Sequence, residues 1–385
     1  MQRKVIAVLG ATGSVGTQAL DVARARGYRV DMLFANRDVE SMSSLAREFM
    51  PKQVVMADPA AADALKARLS DTGIRVDTGD AALADAIAST EAETVVNAVS
   101  GSAGLIPSLE IIKSKKRLAL ANKESLVVAG DIVMSRAKEA GVEILPVDSE
   151  HCAIFQSLTS GKSTEVKRIL LTASGGPFRD KSIEELRHVT LAGTLAHPTW
   201  KMGKRITVDS ATLMNKGFEL IEAVHLFGVK PDAVEVLVHR ESILHSAVEY
   251  IDNSIIGELS VPDMRMCVQY AVDYPDRMAG ASEQLDLTRL GCLHFERPRY
   301  DAFPLLALAG EMIKAGGAMP AVMNAADEVA VAAFLDEKIS FMGIAEAVGA
   351  ACERLSSAKA ESTLEGILEA DAAARRVTRE IIAKA

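Results

Sequence analysis

The 385-residue sequence has few cysteines, few aromatic residues and no surplus of positive charge. Its four cysteines are scattered without a C-x-x-C pair, so the sequence indicates neither a disulfide framework nor a cysteine-based zinc site. Lys and Arg total 43 against 52 Asp and Glu, and the net charge of −9 argues against binding along a nucleic-acid backbone. The apolar run Val5–Leu9 is far too short to cross a bilayer and breaks into Gly and Thr. We therefore expect a cytoplasmic protein that binds neither nucleic acid nor membrane.

The first 147 residues alternate short β-branched runs with alanine-rich segments of helical spacing. With 49% hydrophobic and 25% charged residues, the chain has the composition of a globular protein of two or three domains. Strand–helix alternation of this kind predicts an α/β fold with a doubly wound parallel sheet. The predicted strands are Val5–Leu9, Val30–Phe34, Gln53–Met56, Thr94–Ala98, Leu118–Ala121 and Glu143–Pro146. The predicted helices include Val15–Arg26, Pro59–Leu69 and Lys123–Ala140.

Three further parts follow in the sequence. Residues 148–275 combine strand-like runs, a long helical stretch and polar loops, a pattern that favours a mixed α+β domain whose loops carry function. Residues 276–300 lose periodicity and are predicted to form a linker, and residues 301–385 have helical spacing, which predicts a C-terminal α-helical bundle. The elements predicted between residues 148 and 275 are the helix Asn215–Phe227 and the strands Val234–His239, Ser246–Tyr250 and Ile255–Ser260.

A glycine-rich turn follows the first predicted strand. Its sequence is Gly10-Ala11-Thr12-Gly13-Ser14-Val15-Gly16, and a predicted helix comes directly after it. Glycines at a strand–helix turn let backbone N–H groups approach a pyrophosphate, and the helix N-terminus adds partial positive charge. A tight turn without a ligand is the alternative, but the position at the start of a βαβ unit favours dinucleotide binding.

The residues after the second strand indicate which dinucleotide is bound. The chain has Asn36-Arg37-Asp38 where NAD enzymes usually have an acidic residue. The planar guanidinium of Arg37 suits the 2′-phosphate of NADP, so we expect NADPH. Asp38 could instead hold a free ribose hydroxyl or pair with Arg37, and the sequence leaves these alternatives open.

An acidic pair follows the last strand of the predicted sheet. In an extended chain the side chains of Asp148 and Glu150 point to the same side, which would let both carboxylates face one divalent cation. A solvated acidic turn is the commoner explanation for a bare Asp-x-Glu pair. A third carboxylate would favour a metal site, and Glu219, early in a predicted helix between apolar neighbours, is the candidate.

A second group of residues is suited to binding an anion. Ser174-Gly175-Gly176 offers a hydroxyl and backbone donors that can form a nest. Ser210, Asn215 and Lys216 add a hydroxyl, an amide and an ammonium at a helix start. Each piece alone is commonplace, since Ser-Gly-Gly is usually just a turn. Together with an acidic triad, they suggest a phosphorylated, polyol-like substrate held on a metal.

The segment His197–Gly203 contains the single tryptophan of the chain, Trp200, in a polar loop. One interpretation is a surface loop whose tryptophan packs on a neighbouring helix. The other is a lid near residues 197–204, in which Trp200 excludes water while His197 contacts the anion. Cys152 follows the acidic pair, but no neighbouring arrangement marks it as a nucleophile, so we expect a buried thiol.

These motifs together resemble the 1-deoxy-D-xylulose 5-phosphate reductoisomerase family over essentially the whole chain. The segments that carry the resemblance are GATGSVG (10–16), ALANKESLV (119–127), PVDSEHCAIFQ (146–156), ASGGPF (173–178), HPTWKMG (197–203), VDSATLMNKGFELIEA (208–223), VPDMR (261–265) and GGAMPAVMNAADEVAVAAF (316–334). The resemblance implies a Rossmann-like NADPH-binding domain over 1–147, a metal- and substrate-binding catalytic domain over 148–275, a linker over 276–300, a helical domain over 301–385, and a homodimer.

The resemblance also implies a role for each candidate residue. The catalytic residues would be Lys123, Asp148, Glu150, His197 and Glu219. The ligands of one Mg²⁺ or Mn²⁺ ion would be Asp148, Glu150 and Glu219. The substrate, a small phosphorylated sugar, would contact Lys123, Ser149, Glu150, Ser174, His197, Trp200, Ser210, Asn215, Lys216 and Glu219. NADPH would contact Thr12, Gly13, Ser14, Val15, Asn36, Arg37, Asp38, Asn122, Glu124 and Gly203.

The reaction implied by the resemblance converts 1-deoxy-D-xylulose 5-phosphate to 2-C-methyl-D-erythritol 4-phosphate in isoprenoid precursor biosynthesis. The metal-bound sugar would rearrange by retroaldol and aldol steps, and NADPH would reduce the resulting aldehyde. The chain departs from the family pattern at Arg37-Asp38, Lys201 and Met266-Cys267. Two alternatives are a semialdehyde dehydrogenase-like oxidoreductase with Cys152 as its nucleophile, and a non-catalytic NADPH-binding redox sensor that would leave the three carboxylates without a role.

Overall fold

The computed structural model describes residues 4–200, 202–356 and 362–384. The chain forms two compact units, and neither is continuous in sequence. The first unit comprises Met1–Asn122, Val133–Cys152 and Asp263–Gln284, and the second comprises Lys123–Ile132, Ala153–Pro262 and Leu285–Ala385. The domain boundaries at residues 147, 275 and 300 stay a prediction. A search of the described helices finds none with the length and apolar character that a bilayer crossing requires.

The first unit is built on a seven-stranded sheet. Its strands are β1 (Val5–Leu9), β2 (Arg29–Ala35), β3 (Gln53–Met56), β4 (Arg75–Thr78), β5 (Thr94–Asn97), β6 (Arg117–Leu120) and β7 (Ile144–Pro146). All pairs in the sheet are parallel, and the order is β4-β3-β2-β1-β5-β6-β7. The order reverses at β1, as in doubly wound folds, so the predicted Rossmann-like sheet is confirmed.

Helices connect these parallel strands. They are α1 (Ser14–Arg26), α2 (Val39–Phe49), α3 (Pro59–Arg68), α4 (Asp80–Ser89), α5 (Leu105–Lys113) and α6 (Glu124–Ala140). Helix α7 (Ser149–Ser157) follows β7, the last strand of this sheet in the chain. Residues Ile6 to Leu9 in β1 are at most 1% exposed, because a parallel sheet with crossover helices is buried on both faces. Helix α6 contains non-helical backbone at Ala129, where φ is −144° and ψ is 39°.

Strand β4 is an element that the sequence did not predict. Its residues Arg75-Val76-Asp77-Thr78 include one apolar side chain, that of Val76, and the strand lies at one edge of the sheet. Both terminal residues of the strand are exposed, whereas the more central strands are mostly buried. A prediction based on continuous apolar runs finds buried parallel strands and misses a half-solvated edge strand of this kind.

The second unit contains a four-stranded mixed sheet. Its strands are β8 (Val166–Ala173), β9 (Val234–Val238), β10 (Leu244–Tyr250) and β11 (Ile255–Leu259), in the order β11-β10-β8-β9. Strands β8 and β9 are parallel, and the other pairs are antiparallel. The mixed sheet is confirmed, but the sequence did not predict β8. The second and third residues of β8, Lys167 and Arg168, are charged and form ion pairs with Glu249 of β10.

Helices of the second unit complete the fold. Between β8 and β9 in the chain lie α8 (Ile183–Leu186), α9 (Leu191–Thr194), α10 (Lys204–Ala211) and α11 (Met214–Phe227). The next helix, α12 (Met264–Asp273), returns to the first unit and packs on α1. The C-terminal helices are α13 (Pro304–Ala315), α14 (Met319–Leu335), α15 (Phe341–Leu355) and α16 (Leu364–Ile382). The C-terminal helical region is therefore confirmed, and it shares one apolar core with the sheet of the second unit.

Candidate active site

The glycine-rich turn between β1 and α1 has the tight geometry that its sequence predicts. Gly10 has a φ of +79°, and a Cβ there would lie 2.3 Å from the Ala98 carbonyl oxygen. A Cβ on Gly16 would lie 2.1 Å from the Gly10 carbonyl oxygen. Gly13 is exposed and occupies the N-cap position, where it offers no side-chain acceptor to the first N–H groups of α1. The turn therefore fits a pyrophosphate, whose oxygens can accept from those groups.

Asn36, Arg37 and Asp38 are exposed beyond the end of β2. The Asp38 carboxylate caps α2, because its Oδ1 accepts a hydrogen bond from the Ser41 N–H at 3.0 Å. The hydrogen bonds from Ser41 lower the pKa of Asp38 below its ordinary value. The structure thus gives Asp38 a local role as a helix cap, which the sequence did not suggest. Exposure of the Arg37 guanidinium suits a residue that reads the 2′-phosphate of a dinucleotide.

Asn122 anchors the loop that follows β5. Its Nδ2 donates to the carbonyl oxygens of Val99 at 2.7 Å and Gly101 at 2.8 Å. Gly104 leaves room for this side chain, since a Cβ there would lie 2.3 Å from the Asn122 Cγ. Asn122 lies two residues after the end of β6, at the carboxyl edge of the sheet where doubly wound folds bind dinucleotides.

The acidic pair lies at the start of a helix, so the extended conformation expected from the sequence is wrong. Helix α7 begins at Ser149, and Oδ1 of Asp148 accepts hydrogen bonds from the N–H groups of Glu150 at 3.1 Å and His151 at 3.3 Å. Nδ1 of His151 lies 3.0 Å from the same oxygen. Ser149 donates its hydroxyl to the Glu150 carboxylate. A carboxylate at a helix N-terminus is stabilised by unpaired N–H groups, which explains why an acidic turn follows β7.

Glu219 lies in the second turn of α11, and its side chain is 1% exposed. Its Oε1 accepts from Lys123 Nζ at 2.8 Å and from Asn215 Nδ2 at 2.6 Å, while Oε2 accepts from Lys216. Lys123 also donates to Oδ1 of Asn215 at 2.8 Å. Four predicted site residues therefore form one buried network. A buried carboxylate requires such compensation, because desolvation of an unpaired charge is costly.

His197 joins the two serines predicted to bind phosphate. Its Nε2 lies 3.1 Å from the Ser174 hydroxyl and 3.2 Å from the Ser210 hydroxyl. Its Nδ1 accepts from the backbone N–H groups of Thr199 at 3.2 Å and Trp200 at 2.9 Å, so the proton of the neutral ring belongs on Nε2. Burial, assisted by the positive charge of Arg179, lowers the pKa of His197 to about 4. The ring is therefore a neutral donor at neutral pH.

The Ser-Gly-Gly turn after β8 brings Ser174 close to α10. Gly175 and Gly176 have φ values of +80° and +69°, conformations that favour glycine. A Cβ on Gly176 would lie 2.7 Å from the Ser210 carbonyl oxygen. Ser210 lies in the last turn of α10, not at a helix start as expected, whereas Asn215 and Lys216 do lie in the first turn of α11.

The predicted lid segment is described except for Lys201, which lies outside the described residues. The Trp200 ring lies against His245, with ring centroids 6.2 Å apart and an interplanar angle of 62°. Gly203 is the N-cap of α10, and Nη1 of Arg205 lies 3.2 Å from Oε1 of Glu124. Within the second unit, Trp200, three residues after His197 in the chain, therefore packs against His245. The lid function stays a prediction.

Sequence reasoning missed Arg179, which follows the ASGGPF segment. Its Nη1 donates to the Ser174 carbonyl oxygen at 3.0 Å, and its charge acts on His197. The position of Arg179 directly after a glycine-rich turn that is suited to binding an anion could have indicated a role at this site. Cys152 is fully buried. His239 is also buried, and its Nε2 accepts from the N–H groups of Ile243 and Leu244, which indicates a structural role.

Family models and curated proteins match the chain over nearly its full length. A model described as 1-deoxy-D-xylulose 5-phosphate reductoisomerase matches residues 6–130, and two models of its C-terminal domains match residues 144–227 and 259–377. A protein of that name from Acetivibrio thermocellus is 53% identical over 98% of this chain and 99% of its own. Another from Bacteroides fragilis is 45% identical over 100% of this chain and 99% of its own.

Solved structures with the same fold are also similar in sequence. The enzyme of that name from Zymomonas mobilis in complex with NADPH has a TM-score of 0.92 and 43% identity, with 99% of each chain covered. A DOX-P reductoisomerase in complex with NADPH, fosmidomycin and magnesium has a TM-score of 0.93 and 38% identity, with 98% of each chain covered.

Proposed function

The chain belongs to the 1-deoxy-D-xylulose 5-phosphate reductoisomerase family, and we propose that it converts this substrate to 2-C-methyl-D-erythritol 4-phosphate with NADPH and a divalent cation. The observation that carries the proposal is the buried Glu219 carboxylate, held by Lys123, Asn215 and Lys216. Such a group combines a metal-ligating oxygen pair with positive charge for a phosphorylated, oxygen-rich substrate. End-to-end alignment with relatives of that activity supports the choice of substrate.

The cation is held by Asp148, Glu150 and Glu219. Carboxylate oxygens are the ligands that Mg²⁺ and Mn²⁺ prefer, and a relative's solved structure contains magnesium. When bound, the cation supplies a Lewis acid for the substrate's carbonyl and hydroxyl oxygens, and NADPH supplies a hydride. Lys123, which donates to Glu219, adds positive charge beside the reacting oxygens.

The phosphate of the substrate is bound by residues around His197. Nε2–H of His197 lies between the hydroxyls of Ser174 and Ser210, so the ring orients both hydroxyls for an anion. The first turn of α11 adds the Asn215 amide and the Lys216 ammonium. Ser149 and Glu150 contact the sugar, and Trp200 covers it and excludes water. Binding energy from the phosphate, remote from the reacting carbons, orients those carbons for reaction.

NADPH is bound at the turn between β1 and α1 and at the end of β2. The pyrophosphate accepts from N–H groups of Thr12, Ser14 and Val15. The N–H of Gly13 donates to the Gly10 carbonyl oxygen at 2.9 Å, so Gly13 contacts the pyrophosphate through its exposed backbone without a side chain in the way. Asn36, Arg37 and Asp38 contact the adenosine ribose, with Arg37 on its 2′-phosphate. The nicotinamide end is contacted by Asn122, Glu124 and Gly203.

The protein is a cytoplasmic homodimer in this proposal. Its four cysteines are free thiols, which suit a reducing compartment. Strand β11 lies at one edge of its sheet and exposes Ile255, Ile256 and Leu259, and such an apolar edge is a surface that a second copy can cover. Sedimentation velocity tests the dimer, and a monomer at micromolar concentration contradicts it.

The direct test is oxidation of NADPH on addition of 1-deoxy-D-xylulose 5-phosphate. We expect the absorbance of NADPH to fall, the loss to stop with EDTA, and excess Mg²⁺ to restore it. No oxidation in the presence of Mg²⁺ and Mn²⁺ overturns the proposal and leaves a redox sensor as the alternative.

A second test distinguishes the proposed reductoisomerase from a semialdehyde dehydrogenase. Cys152→Ser removes the thiol that a semialdehyde dehydrogenase would need, yet this side chain is fully buried. We expect Cys152→Ser to retain activity with 1-deoxy-D-xylulose 5-phosphate within about threefold, because a buried Ser for Cys change alters packing only slightly. Complete loss of activity in a folded variant favours a thiolate nucleophile.

A further inference from the structure

Two buried aspartates in the second unit have no role in the proposed reaction. Asp209 lies in α10 and is 4% exposed, and Asp327 lies in α14 and is 0% exposed. Arg205 links their surroundings, since its Nε lies 3.7 Å from Asp209 and its Nη1 lies 3.1 Å from Glu328, the residue after Asp327. Each aspartate also acts electrostatically on the other. Oδ1 of Asp209 and both carboxylate oxygens of Asp327 are buried and have no donor among the described residues. Two ionised carboxylates in this position would repel each other and would lack donors, at a high cost in free energy.

The charges around the pair do not balance if both aspartates are ionised. Arg205 of α10 faces four carboxylates: Nη1 lies 3.2 Å from Glu124 of α6 and 3.1 Å from Glu328 of α14, and Nε lies 3.7 Å from Asp209. Asp327 is the fourth.

Other cations near the pair have partners of their own. Lys123, the residue before α6, is bound to Glu219, and Arg375 of α16 is shared between Glu328 and Asp371. Arg205 therefore faces more negative charge than it can balance, and a proton on the aspartate pair reduces that excess.

We propose that Asp209 and Asp327 share one buried proton, and that this carboxyl–carboxylate hydrogen bond positions α10 against α14. Helix α10 begins after Gly203 and carries Ser210 in its last turn. Ser210 in turn lies 3.2 Å from Nε2 of His197. The pair is a positioning element, because it acts on the phosphate site through Ser210. This positioning role rests on the proposed function, whereas the shared proton does not.

The electrostatic environment of both carboxyls agrees with a shared proton. Burial raises the pKa of the Asp209 carboxyl to about 6, although Arg205 opposes the rise. Burial and the neighbouring Asp209 carboxylate raise the pKa of Asp327 well above its ordinary value. The native state therefore binds a proton at pH values where the unfolded chain has lost it. It follows that the free energy of unfolding falls as the pH rises above about 4, the ordinary aspartate value, through the folded-state pKa values.

The variant Asp327→Asn tests the shared proton, because an amide has the same shape and supplies a permanent N–H donor to Asp209. In the wild type at pH 7, we expect an infrared C=O stretch of a protonated carboxyl, shifted by deuterium exchange, and we expect this band to disappear in Asp327→Asn. We also expect the melting temperature of Asp327→Asn, relative to wild type, to rise between pH 5 and pH 8. The matched control is Asp336→Asn, at the exposed end of the same helix, which should change neither observable.

Catalytic constants test the positioning role. Asp327→Asn should keep kcat and KM within about twofold, because the hydrogen bond to α10 survives. Asp327→Leu removes it and leaves the Asp209 carboxylate without a donor, so kcat/KM should fall by about tenfold or more, mainly through KM. Equal losses in both variants contradict the positioning role.

The wild-type infrared band shows whether the aspartate pair carries a proton, even if a variant fails to fold or the wild type does not oxidise NADPH. A wild-type spectrum without a protonated-carboxyl band at pH 7 overturns the inference, as does a band that persists unchanged in Asp327→Asn. Absence of NADPH oxidation overturns the proposed function instead, so the two failures are distinguishable.

Discussion

The ammonium of Lys123 lies 2.8 Å from Oε1 of Glu219, although 96 positions separate the two residues in the chain. Both side chains are buried, with exposed fractions of 8% and 1%. Lys216 donates to the other carboxylate oxygen, so one buried acid is compensated by two bases. Removal of the Glu219 charge takes away the carboxylate to which both ammonium groups donate, and this makes Glu219 a sensitive test position.

Glu219→Gln is expected to abolish turnover while the helix around it stays folded. Gln retains the size of the side chain, but loses a metal-ligating charge, so kcat should fall by at least about 100-fold. Loss of the charge also removes the carboxylate that two buried ammonium groups share, which should lower the free energy of unfolding by about 3 kcal/mol.

Steady-state kinetics and urea unfolding measure the two effects of Glu219→Gln. The control is Glu311→Gln, an exposed position on α13, which should leave both unchanged. Near-normal turnover in Glu219→Gln counts against the proposed metal ligand.

Arg37→Ala is expected to weaken binding of NADPH but not of NADH. A charge-assisted hydrogen bond to the 2′-phosphate contributes about 1.5–3 kcal/mol, so the dissociation constant for NADPH should rise by about 10-fold to 100-fold. Titration of each nucleotide by fluorescence provides the measurement, with the exposed Arg136→Ala as the matched control. Equal weakening for both nucleotides means that Arg37 does not read the 2′-phosphate.

His197 is expected to stay neutral across the physiological pH range. Its pKa in the folded state is lowered to about 4 by burial and by Arg179, below the unfolded value of about 6.5. Between these values the unfolded chain binds more protons, so the free energy of unfolding should decrease as the pH falls from 6.5 to 4.

The measurement compares wild type with His197→Gln, which should lose this part of the pH dependence, and with the exposed His188→Gln as control. Imidazole ¹⁵N chemical shifts should show the proton on Nε2 between pH 5.5 and 8. A doubly protonated His197 ring at pH 6 is the outcome that contradicts the assignment.

Trp200→Ala is expected to impair substrate binding more than the chemical step. Loss of a large ring that excludes water should raise KM for the substrate by about tenfold. Trp200→Phe retains an aromatic cover and should lose less. Because Trp200 is the single tryptophan, its fluorescence in the wild type should change when substrate binds to the NADPH complex. Unchanged KM in Trp200→Ala, with no fluorescence change in wild type, refutes the lid.

Sequence patterns predicted the elements that depend on local periodicity. Strand β1, the Gly10–Gly16 turn and α1 follow from an apolar run, glycines and helical spacing, and the structure has all three. Strands β4 and β8 were not predicted, since charged residues occupy part of each strand. The extended conformation predicted at Asp148 was wrong, because Asp148 caps α7 instead. Helix capping by an aspartate is also compatible with the sequence.

Contacts between distant segments were not predictable from periodicity. The Glu219 network could be suspected from residue types, and its hydrogen bond from Asn215 is local to α11. Its hydrogen bond from Lys123 joins segments 96 positions apart and depends on tertiary packing. The buried pair Asp209–Asp327 gives no signal in the sequence, because each residue lies alone on a different helix. The same limit applies to α12, which packs on α1 far from it in the chain.

Binding of Mn²⁺ to the purified protein tests the central claim, that Asp148, Glu150 and Glu219 hold one divalent cation. Electron paramagnetic resonance of free Mn²⁺ gives the number of bound ions and their dissociation constant. We predict one ion per chain in the wild type, and at least about tenfold weaker binding in each of Asp148→Asn, Glu150→Gln and Glu219→Gln. Unchanged Mn²⁺ binding in any one of the three, with the variant folded, contradicts the account.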